Sequence, residues 1–430
     1  MENFKRIDNH WINSESPWNL VRGKYLFENP KTLNKDSKEN NLLSLTLNGV
    51  LNKDMDSGGG LRPDSYDSYQ IFEKNDLVFK LIDLENVKTS RVGWVHERGL
   101  MSPVYIRLKP KEDKINTRYF YYYFFDLYLR QIFNSIGSGI RSSLSGTNLL
   151  ELLVPNPTYE EQTQIVDYLD KKTKEIDELV TKIEKKVELL KEQKTSLINE
   201  VVTKGINPNV ETKDSGVEWL GQVPKHWKII RLKLLGSFSN GLSKSSEYFG
   251  KGFPFYSYGD IYNNPSLPDV PSGMVESDGS DQKKCSVERG DVFFTRTSES
   301  TDDIGVTSTC LKTLPHSTFS GFIIRFRPHK ERFLPEYSKY LFQNHYKKTF
   351  IESRMNIVTR SSLSQSILGN VLVMFPEEKE AQQEIIEYLD HQTHTIDKII
   401  LQEEKRIELL KEYKQSLISE VVTGKKKVVS

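Results

Sequence analysis

Two long segments of the chain place apolar and charged residues in the manner of amphipathic helices. Between residues 158 and 203, and again between 378 and 423, apolar residues recur mostly at steps of three, four or seven. This spacing puts them on one face of a helix. In the first segment the apolar positions are Ile165, Leu169, Ile176, Leu179, Ile183, Val187, Leu190, Leu197 and Val201. In the second segment they are Ile385, Leu389, Ile396, Ile399, Ile407, Leu410, Leu417 and Val421.

Apolar faces of this length need a partner. At about 1.5 Å per residue, each segment would form a helix on the order of 70 Å long. We predict that the two helices pair with each other, because each has one partner of equal length in the same chain. The alternative is that each helix packs only on its own globular domain.

The two segments are copies of one another. VELLKEQKTSLINEVVT begins at Val187 and IELLKEYKQSLISEVVT begins at Ile407, and 13 of the 17 positions are identical. Glu403 takes the position of Ile183 and interrupts the second apolar face. Such a repeat indicates a duplicated unit. We predict antiparallel pairing, because that order relates the two copies by an approximate twofold axis.

A looser repeat extends into the regions between the helices. The matched segments are Trp18–Arg22 with Trp227–Arg231, Asn75–Phe79 with Gly290–Phe294, Ile106–Pro110 with Ile324–Pro328, and Arg141–Ser145 with Arg360–Ser364. Between these anchors the two copies diverge almost completely. A common frame with different filling is expected when each copy recognises something different.

The secondary structure predicted for the globular regions is mixed. β-branched and aromatic runs predict strands at Leu42–Leu47, Leu77–Ile82 and Gly321–Phe326. Helices are predicted at Arg118–Phe133 and Pro335–Ser353, and loops at Ser57–Gly60 and Val270–Ser280. The predicted fold class is therefore α+β: two mixed domains joined by two long helices that form an antiparallel coiled coil, with pseudo-twofold internal symmetry.

These patterns divide the chain into six parts. The predicted boundaries are residues 1–157 and 216–377 for the two globular domains, 158–205 and 378–424 for the helices, 206–215 for a linker, and 425–430 for a basic tail.

Charge is distributed unevenly along the chain. The net charge is +1 overall, but residues 158–203 carry −3 and residues 378–423 carry −5, which leaves +9 on the remainder. Basic globular parts are suited to approach phosphate groups while the acidic helices stay away from them. The alternative is that solvated helices simply carry glutamate.

Cysteine content and hydropathy bound the environment. Cys285 and Cys310 are too few for a disulfide framework or a four-cysteine zinc site. The sequence has no apolar stretch of about 18 residues that would span a membrane, and its first residues lack the apolar core of a signal peptide. We expect a cytoplasmic protein with no membrane association.

The sequence offers no convincing catalytic constellation. Asn156–Tyr159 is faintly similar to a methyltransferase motif, but it lacks the second proline and stands where helix start signals are expected. A phosphate-binding GK[ST] loop is absent. His391, His394 and Glu387 lie close together on the second helix, where solvated positions are the simpler interpretation. We predict no catalytic residue, no metal ligand and no cofactor.

Basic and hydroxyl side chains near glycines or strand ends are candidates for DNA contact. Arginine can grip guanine or phosphate, and serine can donate a hydrogen bond to phosphate. The candidates are Arg62, Lys80, Arg91, Arg141, Ser142, Lys244, Ser257, Tyr258, Arg296, Arg360 and Ser361.

Four parts of the sequence resemble the specificity subunit of type I restriction–modification systems. They are Leu42–Thr46, Gly99–Tyr105, Gly216–Trp227, and the pair of helices that begin near Glu161 and Ala381 and end in Glu-Val-Val-Thr. The resemblance covers essentially the whole chain. It implies two target-recognition domains separated by two conserved helices that pack as an antiparallel coiled coil.

The same resemblance implies a function. Each domain would read one half of a bipartite target in double-stranded DNA. Two modification subunits and two restriction subunits would be the partners, and they would carry S-adenosylmethionine, ATP and Mg²⁺ and perform methylation and cleavage. The unlike loops at residues 48–69 and 270–281 would read unlike bases. The alternatives are a coiled-coil scaffold whose domains bind protein, and the recognition subunit of another phage-defence methylation system.

Overall fold

A computed structural model of the chain describes most of its residues. The described ranges are 14–35, 39–47, 49–53, 65–84, 91–137, 143–217, 221–298, 303–329, 332–343 and 361–428. The chain divides into two compact units. The first unit contains residues 1–184 and 404–430, and the second contains residues 185–403.

The first unit combines short strands with aromatic helices. Its elements are β1 (Leu20–Arg22), α1 (Gly23–Leu26), β2 (Phe27–Glu28), β3 (Leu43–Thr46), β4 (Gly49–Asn52), β5 (Gln70–Phe72), β6 (Leu77–Lys80), β7 (Arg91–Trp94), β8 (Gly99–Met101), β9 (Ile106–Pro110), α2 (Thr117–Leu129), α3 (Ile132–Ile136), α4 (Gly146–Glu151), β10 (Leu153–Pro155) and the beginning of α5 (Tyr159–Lys204). A four-stranded antiparallel sheet in the order β2-β9-β6-β7 is its centre.

Helix α2 covers this sheet with aromatic side chains. The Asn116 side chain caps its first turn by accepting a hydrogen bond from the Arg118 amide. Phe120 and Phe124, four residues apart on one face, meet the strand residues Phe27 and Phe79 edge-on at centroid distances of 5.1 and 5.2 Å. The predicted helix Arg118–Phe133 is two helices, because Gln131 adopts a left-handed backbone conformation with φ of 56° and ends the first one.

The second unit repeats the frame and adds to it. Its elements are the end of α5, β11 (Thr212–Asp214), β12 (Gln222–Pro224), β13 (Lys228–Arg231), β14 (Gly236–Asn240), β15 (Phe249–Tyr256), α6 (Tyr258–Tyr262), β16 (Gly273–Val275), α7 (Gly279–Lys284), β17 (Val292–Thr295), β18 (Thr297–Ser298), β19 (Thr307–Thr309), β20 (Thr318–Phe319), β21 (Ile323–Pro328), α8 (Pro335–Leu341), β22 (Ser361–Ser362), α9 (Gln365–Gly369), β23 (Leu372–Phe375) and the beginning of α10 (Lys379–Val422). Its central sheet has the order β14-β21-β17-β19.

One loop prediction in this unit is wrong. The range Val270–Ser280 contains strand β16, which pairs with β15 in a three-stranded sheet of order β16-β15-β20. Met274 and Val275 supply the apolar residues of that strand, but serine and glycine on both sides hide it in the sequence. The predicted loop Ser57–Gly60 lies outside the described residues. The predicted helix Pro335–Ser353 is described to residue 343, and α8 ends at Leu341.

The two long helices pair antiparallel, as predicted. In the first unit Asp177 bonds Lys414 at 2.7 Å and Glu184 bonds Lys411 at 3.4 Å. The second unit shows the same opposed order, with Lys194 bonded to Asp397 and Lys186 to Glu403, each at 2.6 Å. Glu403, the acidic residue that interrupts the second apolar face, therefore forms an ion pair with a lysine of the other helix.

The buried face of the helices differs in part from the predicted one. Buried positions of the predicted set are Ile165, Leu169, Ile176, Ile183, Val187, Val201, Ile385, Leu389, Ile396, Leu417 and Val421. Half-buried positions are Leu179, Leu190, Leu197, Ile399, Ile407 and Leu410. Val180 and Ile400 are buried instead of Leu179 and Ile399. The buried residues that follow Ile176 and Ile396 lie four positions later, where the prediction had three. A straight helix does not keep an exact seven-residue repeat, so the buried face shifts slightly along it.

In each unit a tyrosine of the globular domain binds an aspartate and a threonine of a long helix. In the first unit the Tyr122 hydroxyl donates to Asp170 at 2.5 Å and lies 3.3 Å from the Thr173 hydroxyl. In the second unit Tyr340 makes the corresponding contacts with Asp390 and Thr393 at 2.5 and 3.2 Å.

A buried glutamine ties down the start of each long helix. Gln162 accepts from the Asn116 amide and donates to the Pro157 carbonyl, both at 2.9 Å. Gln382 accepts from the Leu334 amide and donates to the Pro376 carbonyl, also at 2.9 Å. Within the described ranges, no helix is both long and apolar enough to cross a membrane.

Candidate nucleic-acid interface

One edge of the central sheet in the first unit gathers basic residues at strand ends. Lys80 ends β6 and pairs in register with Arg91, which begins β7. Phe79 pairs with Ile106 at the start of β9, so the turn before β9 reaches the same edge. We call this part of the molecule the turn edge of the first unit; it consists of Lys80, Leu81, Arg91 and the turn Ser102–Tyr105.

A buried glutamine holds this turn in place. The Tyr105 amide closes the turn by donating to the Ser102 carbonyl at 3.1 Å. The Gln70 amide group, which is 3% exposed, donates to the Pro103 and Tyr105 carbonyls at 3.1 and 2.9 Å. Burial raises the pKa of the Tyr105 phenol, which the nearby Arg91 cation opposes. Val104, at the tip, remains 60% exposed.

The second unit builds the same edge. Thr295 ends β17 and pairs with Ile323 at the start of β21. The Arg296 amide donates to the Phe322 carbonyl at 2.9 Å, and the Ile323 amide donates to the Ser320 carbonyl at 3.0 Å. The turn edge of the second unit therefore consists of Thr295, Arg296 and the turn Ser320–Ile323. Phe322 occupies the position of Val104 and is 62% exposed.

The serine-rich segments of the loose repeat also reach this edge in each unit. The Leu144 amide donates to the Leu81 carbonyl at 3.0 Å, and the Leu363 amide donates to the Arg296 carbonyl at 2.7 Å. The next residue in each copy, serine, caps the following helix with its side chain. Three predicted DNA contacts in these segments, Arg141, Ser142 and Arg360, lie outside the described residues, as does Arg62. Ser361 pairs through its backbone with Ser298, and its side chain lies outside the description.

Three other predicted contacts in the second unit have internal partners. Lys244 bonds Asp281 at 2.6 Å and donates to the Glu276 carbonyl at 2.8 Å. Ser257 caps α6, and Tyr258 stacks on Tyr262 with ring centroids 5.9 Å apart. These bonds explain how the side chains are oriented, and contact with DNA by any of the three remains a prediction.

Each central sheet contains an ion pair with a buried aspartate. Arg107 on β9 bonds Asp76 at 2.6 Å, and Arg327 on β21 bonds Asp291 at the same distance. Burial raises the pKa of both carboxyl groups, and the guanidinium groups oppose that rise. Sequence reasoning did not identify these pairs or Gln70, because their partners are distant in the chain. The repeated Asn/Gly-Asp before a strand was the available signal.

The metal-ligating side chains of the described residues are dispersed, and both cysteines are buried. Within the described ranges, no three histidine, cysteine, aspartate or glutamate side chains are grouped so that they could hold a metal ion. Cys285 and Cys310 are buried free thiols, and burial raises the pKa of Cys310 to about 12. A thiol with such a pKa is a poor nucleophile at neutral pH.

Two curated relatives are described as specificity subunits of type I restriction enzymes. A Methanocaldococcus jannaschii protein described as "Putative type I restriction enzyme MjaX specificity subunit" is 30% identical over 173 residues, which are 37% of this chain and 39% of that protein. The type I restriction enzyme MjaVIII specificity subunit of the same organism is 26% identical over 191 residues, 42% of this chain and 40% of that protein. The alignments thus span about two fifths of the length of these curated relatives.

Solved structures share the fold. A chain from the study "Structural basis underlying complex assembly and conformational transition of the type I R-M system" superposes with a TM-score of 0.70 at 14% identity, covering 95% of this chain and 98% of that one. The HsdS subunit from Thermoanaerobacter tengcongensis gives a TM-score of 0.51 at 14% identity, covering 95% and 97%. The sequence itself identifies the family. The family model of the type I restriction modification DNA specificity domain matches residues 16–189 and 224–411. Since these matches cover most of the chain and fall in both units, the chain belongs to the type I restriction modification DNA specificity domain family.

Proposed function

We propose that this chain recognises a bipartite sequence in double-stranded DNA, with each turn edge contacting one half-site. The observation that supports this most directly is the pair of equivalent edges. The same strand ends and the same turn carry unlike side chains in the two units, and the chain belongs to a family named for DNA specificity. Sequence is read by side chains that reach base edges, so unlike contact residues on one frame read unlike bases.

In the proposed complex, methyl transfer and DNA cleavage are carried out by other subunits. Two modification subunits bind S-adenosylmethionine and transfer the methyl group, and two restriction subunits use ATP and Mg²⁺ for cleavage. This chain supplies the sequence recognition that both reactions require. The names of the relatives, which are specificity subunits, support this division.

A domain exchange tests the proposal. Residues 1–157 are replaced by the corresponding domain of another family member, and methylated sequences are mapped across the host genome. One half-site should change, while the other half-site and the number of base pairs between them stay constant. The reciprocal exchange of residues 216–377 is the matched control and should change only the other half-site.

Two results would count against the proposal. If either exchange altered both half-sites together, specificity would arise from the two domains as a single surface. If the host lacked any sequence-specific methylation that depends on this chain, the coiled-coil scaffold would become the better description.

A further inference from the structure

The two turn edges share an exposed apolar residue at the same structural position. Val104 and Phe322 are each the third residue of a tight turn whose first residue is serine and whose fourth begins or precedes a central strand. Their exposed fractions, 60% and 62%, are nearly equal. An apolar side chain at one turn tip needs no explanation, because single exposed apolar residues are common. Its recurrence on two copies that otherwise diverge does need one.

Both turns are held rigidly, although by different means. In the first unit the Gln70 side chain binds two carbonyls of the turn, as described above. In the second unit backbone hydrogen bonds to neighbouring segments hold the turn. The Gly321 amide donates to the Leu242 carbonyl at 2.9 Å, and the Ser320 amide donates to the Tyr256 carbonyl at 3.1 Å. A rigid turn presents its tip side chain in one place, which is what direct recognition requires.

Each tip lies beside basic or hydrogen-bonding groups at strand ends. Lys80 ends β6, the strand that pairs with β9 after Val104, and Arg91 begins β7, one strand farther across the sheet. In the second unit the Arg296 amide donates to the Phe322 carbonyl. Cations placed there can hold phosphates, which positions the tip without reading sequence. The apolar tip is then left to meet a base.

We propose that Val104 and Phe322 are specificity-determining residues, each of which packs against the 5-methyl group of a thymine in its own half-site. The inference rests on the proposed function. Among the groups that B-DNA offers in its major groove, the thymine methyl is the apolar one, and the others are hydrogen-bond donors or acceptors. An exposed valine or phenylalanine has no polar atom in its side chain and is matched only by that methyl.

The test measures coupling between each side chain and a methyl group. The target is first selected from a random duplex library by the complex that co-purifies with the full chain from its host. Each thymine of each half-site is then replaced by deoxyuridine, which lacks the methyl. One such replacement per half-site should weaken wild-type binding about fourfold, the worth of one buried methyl.

Truncation of the side chain should remove that sensitivity. Phe322→Ala should weaken binding about tenfold, and its affinity should no longer depend on the methyl in one half-site, while the other half-site is read as before. Val104→Ala should show the mirror result. Val104→Thr keeps the shape of valine and adds a hydroxyl, so it separates polarity from size.

Matched controls lie at the opposite ends of the same strands. Tyr25 is 68% exposed near the end of β9, and Leu234 is 63% exposed near the end of β21. Tyr25→Ala and Leu234→Ala should leave affinity and methyl sensitivity unchanged. Because all four residues are exposed, thermal denaturation should show equal stability, and this measurement verifies folding.

The outcomes separate the inference from the function beneath it. Wild-type binding that is indifferent to every thymine methyl, or half-sites without an A·T pair, would overturn the inference and leave DNA recognition standing. Persistence of methyl sensitivity in Phe322→Ala would do the same. A structure of the complex in which the DNA is kinked and its bases are unstacked at Val104 or Phe322 would also overturn the inference. The side chain would then be inserted between base pairs and would not contact a thymine methyl. If the wild-type complex selects no sequence, the proposed function fails and the inference with it.

Discussion

The first unit joins α2 to α5 through Tyr122, Asp170 and Thr173, and the second joins α8 to α10 through Tyr340, Asp390 and Thr393. The cation that binds this aspartate comes from a different position in each unit. Asp170 bonds Arg118 at 3.0 Å, four residues before Tyr122, and Asp390 bonds Lys339 at 3.0 Å, directly before Tyr340.

Farther from the helices the units differ more. The second unit carries the three-stranded sheet β16-β15-β20, whereas the first has the separate strand pairs β3-β4 and β5-β8. The comparison teaches that the contact between domain and long helix is retained in both units. The strands that flank the central sheet differ in number and pairing between the units.

The largest predicted difference between the units concerns the buried ion pairs. Arg107 and Asp76 are 4% and 1% exposed, whereas Arg327, the partner of Asp291, is 27% exposed. Arg107→Met should cost about 3–5 kcal/mol of unfolding free energy, since it leaves a buried carboxylate unpaired. Arg327→Met should cost less, about 2 kcal/mol, because water reaches that site. Urea denaturation of both variants measures this.

The pH dependence of these variants has a defined sign. Burial already raises the pKa of Asp76, and removal of Arg107 raises it further. The folded state then binds a proton more readily than the unfolded state, so the loss in Arg107→Met should shrink as pH falls from 7 towards 5. The double variant Asp76→Asn, Arg107→Met is the control and should show no such dependence. A deficit that grew at low pH would contradict this assignment.

The glutamines at the helix starts should show a smaller difference. Gln382→Leu removes bonds to the Leu334 amide and to the Pro376 and Arg332 carbonyls, and Gln162→Leu removes bonds to the Asn116 amide and the Pro157 carbonyl. Each buried group left without a partner costs about 1–3 kcal/mol. We expect both variants to be destabilised, with the larger loss for Gln382→Leu. Equal hydrogen-exchange protection in wild type and variant would refute the prediction.

The paired tyrosines should behave alike. Tyr122→Phe and Tyr340→Phe each remove one hydroxyl that donates to a carboxylate, which should cost about 1–2 kcal/mol in each unit. Thermal denaturation of the two single variants provides the measurement. A loss confined to one of them would show that the corresponding contacts are not equivalent in energy.

The smallest predicted effect belongs to the ion pairs between the long helices. Lys414→Ala and Lys194→Ala remove the bonds to Asp177 and Asp397. Exposed pairs of this kind contribute about 0–1 kcal/mol and are screened by salt. Both losses should be small at low ionic strength and should vanish near 1 M salt. A loss that survives high salt would mean that the lysine stems contribute by packing.

The sequence predicts the frame better than the contacts that fasten it. The repeat and the apolar spacing are sufficient for two antiparallel helices, because a long apolar face restricts where a helix can lie. Thr173 and Thr393 are buried within that face, yet the spacing pattern passes over them as polar. Their hydroxyls donate hydrogen bonds to the Leu169 and Leu389 carbonyls one turn earlier. Only the folded helix places these acceptors within reach.

The candidate interface was harder to predict for a related reason. A search for basic residues near glycine finds Lys80, Arg91 and Arg296 at the turn edges. It does not find Val104 and Phe322, because an exposed apolar residue has no distinctive sequence pattern. The loose repeat aligns Ile106 with Ile324 and so places Val104 opposite Phe322. Only the fold shows that both side chains are exposed at the tip of a turn.

The discontinuity of the first unit has a consequence for synthesis. Residues 185–403 emerge from the ribosome as one stretch, so the second unit has its full sequence while the first, begun earlier, still lacks residues 404–430. Leu417, Ile418, Val421 and Val422 belong to the apolar core of that first unit. The first unit therefore cannot complete its apolar core until these residues have been synthesised. A product of premature termination keeps an uncovered apolar surface, and chaperones and proteases act on such surfaces. Truncation within the last turns of α10 should therefore destabilise the first unit.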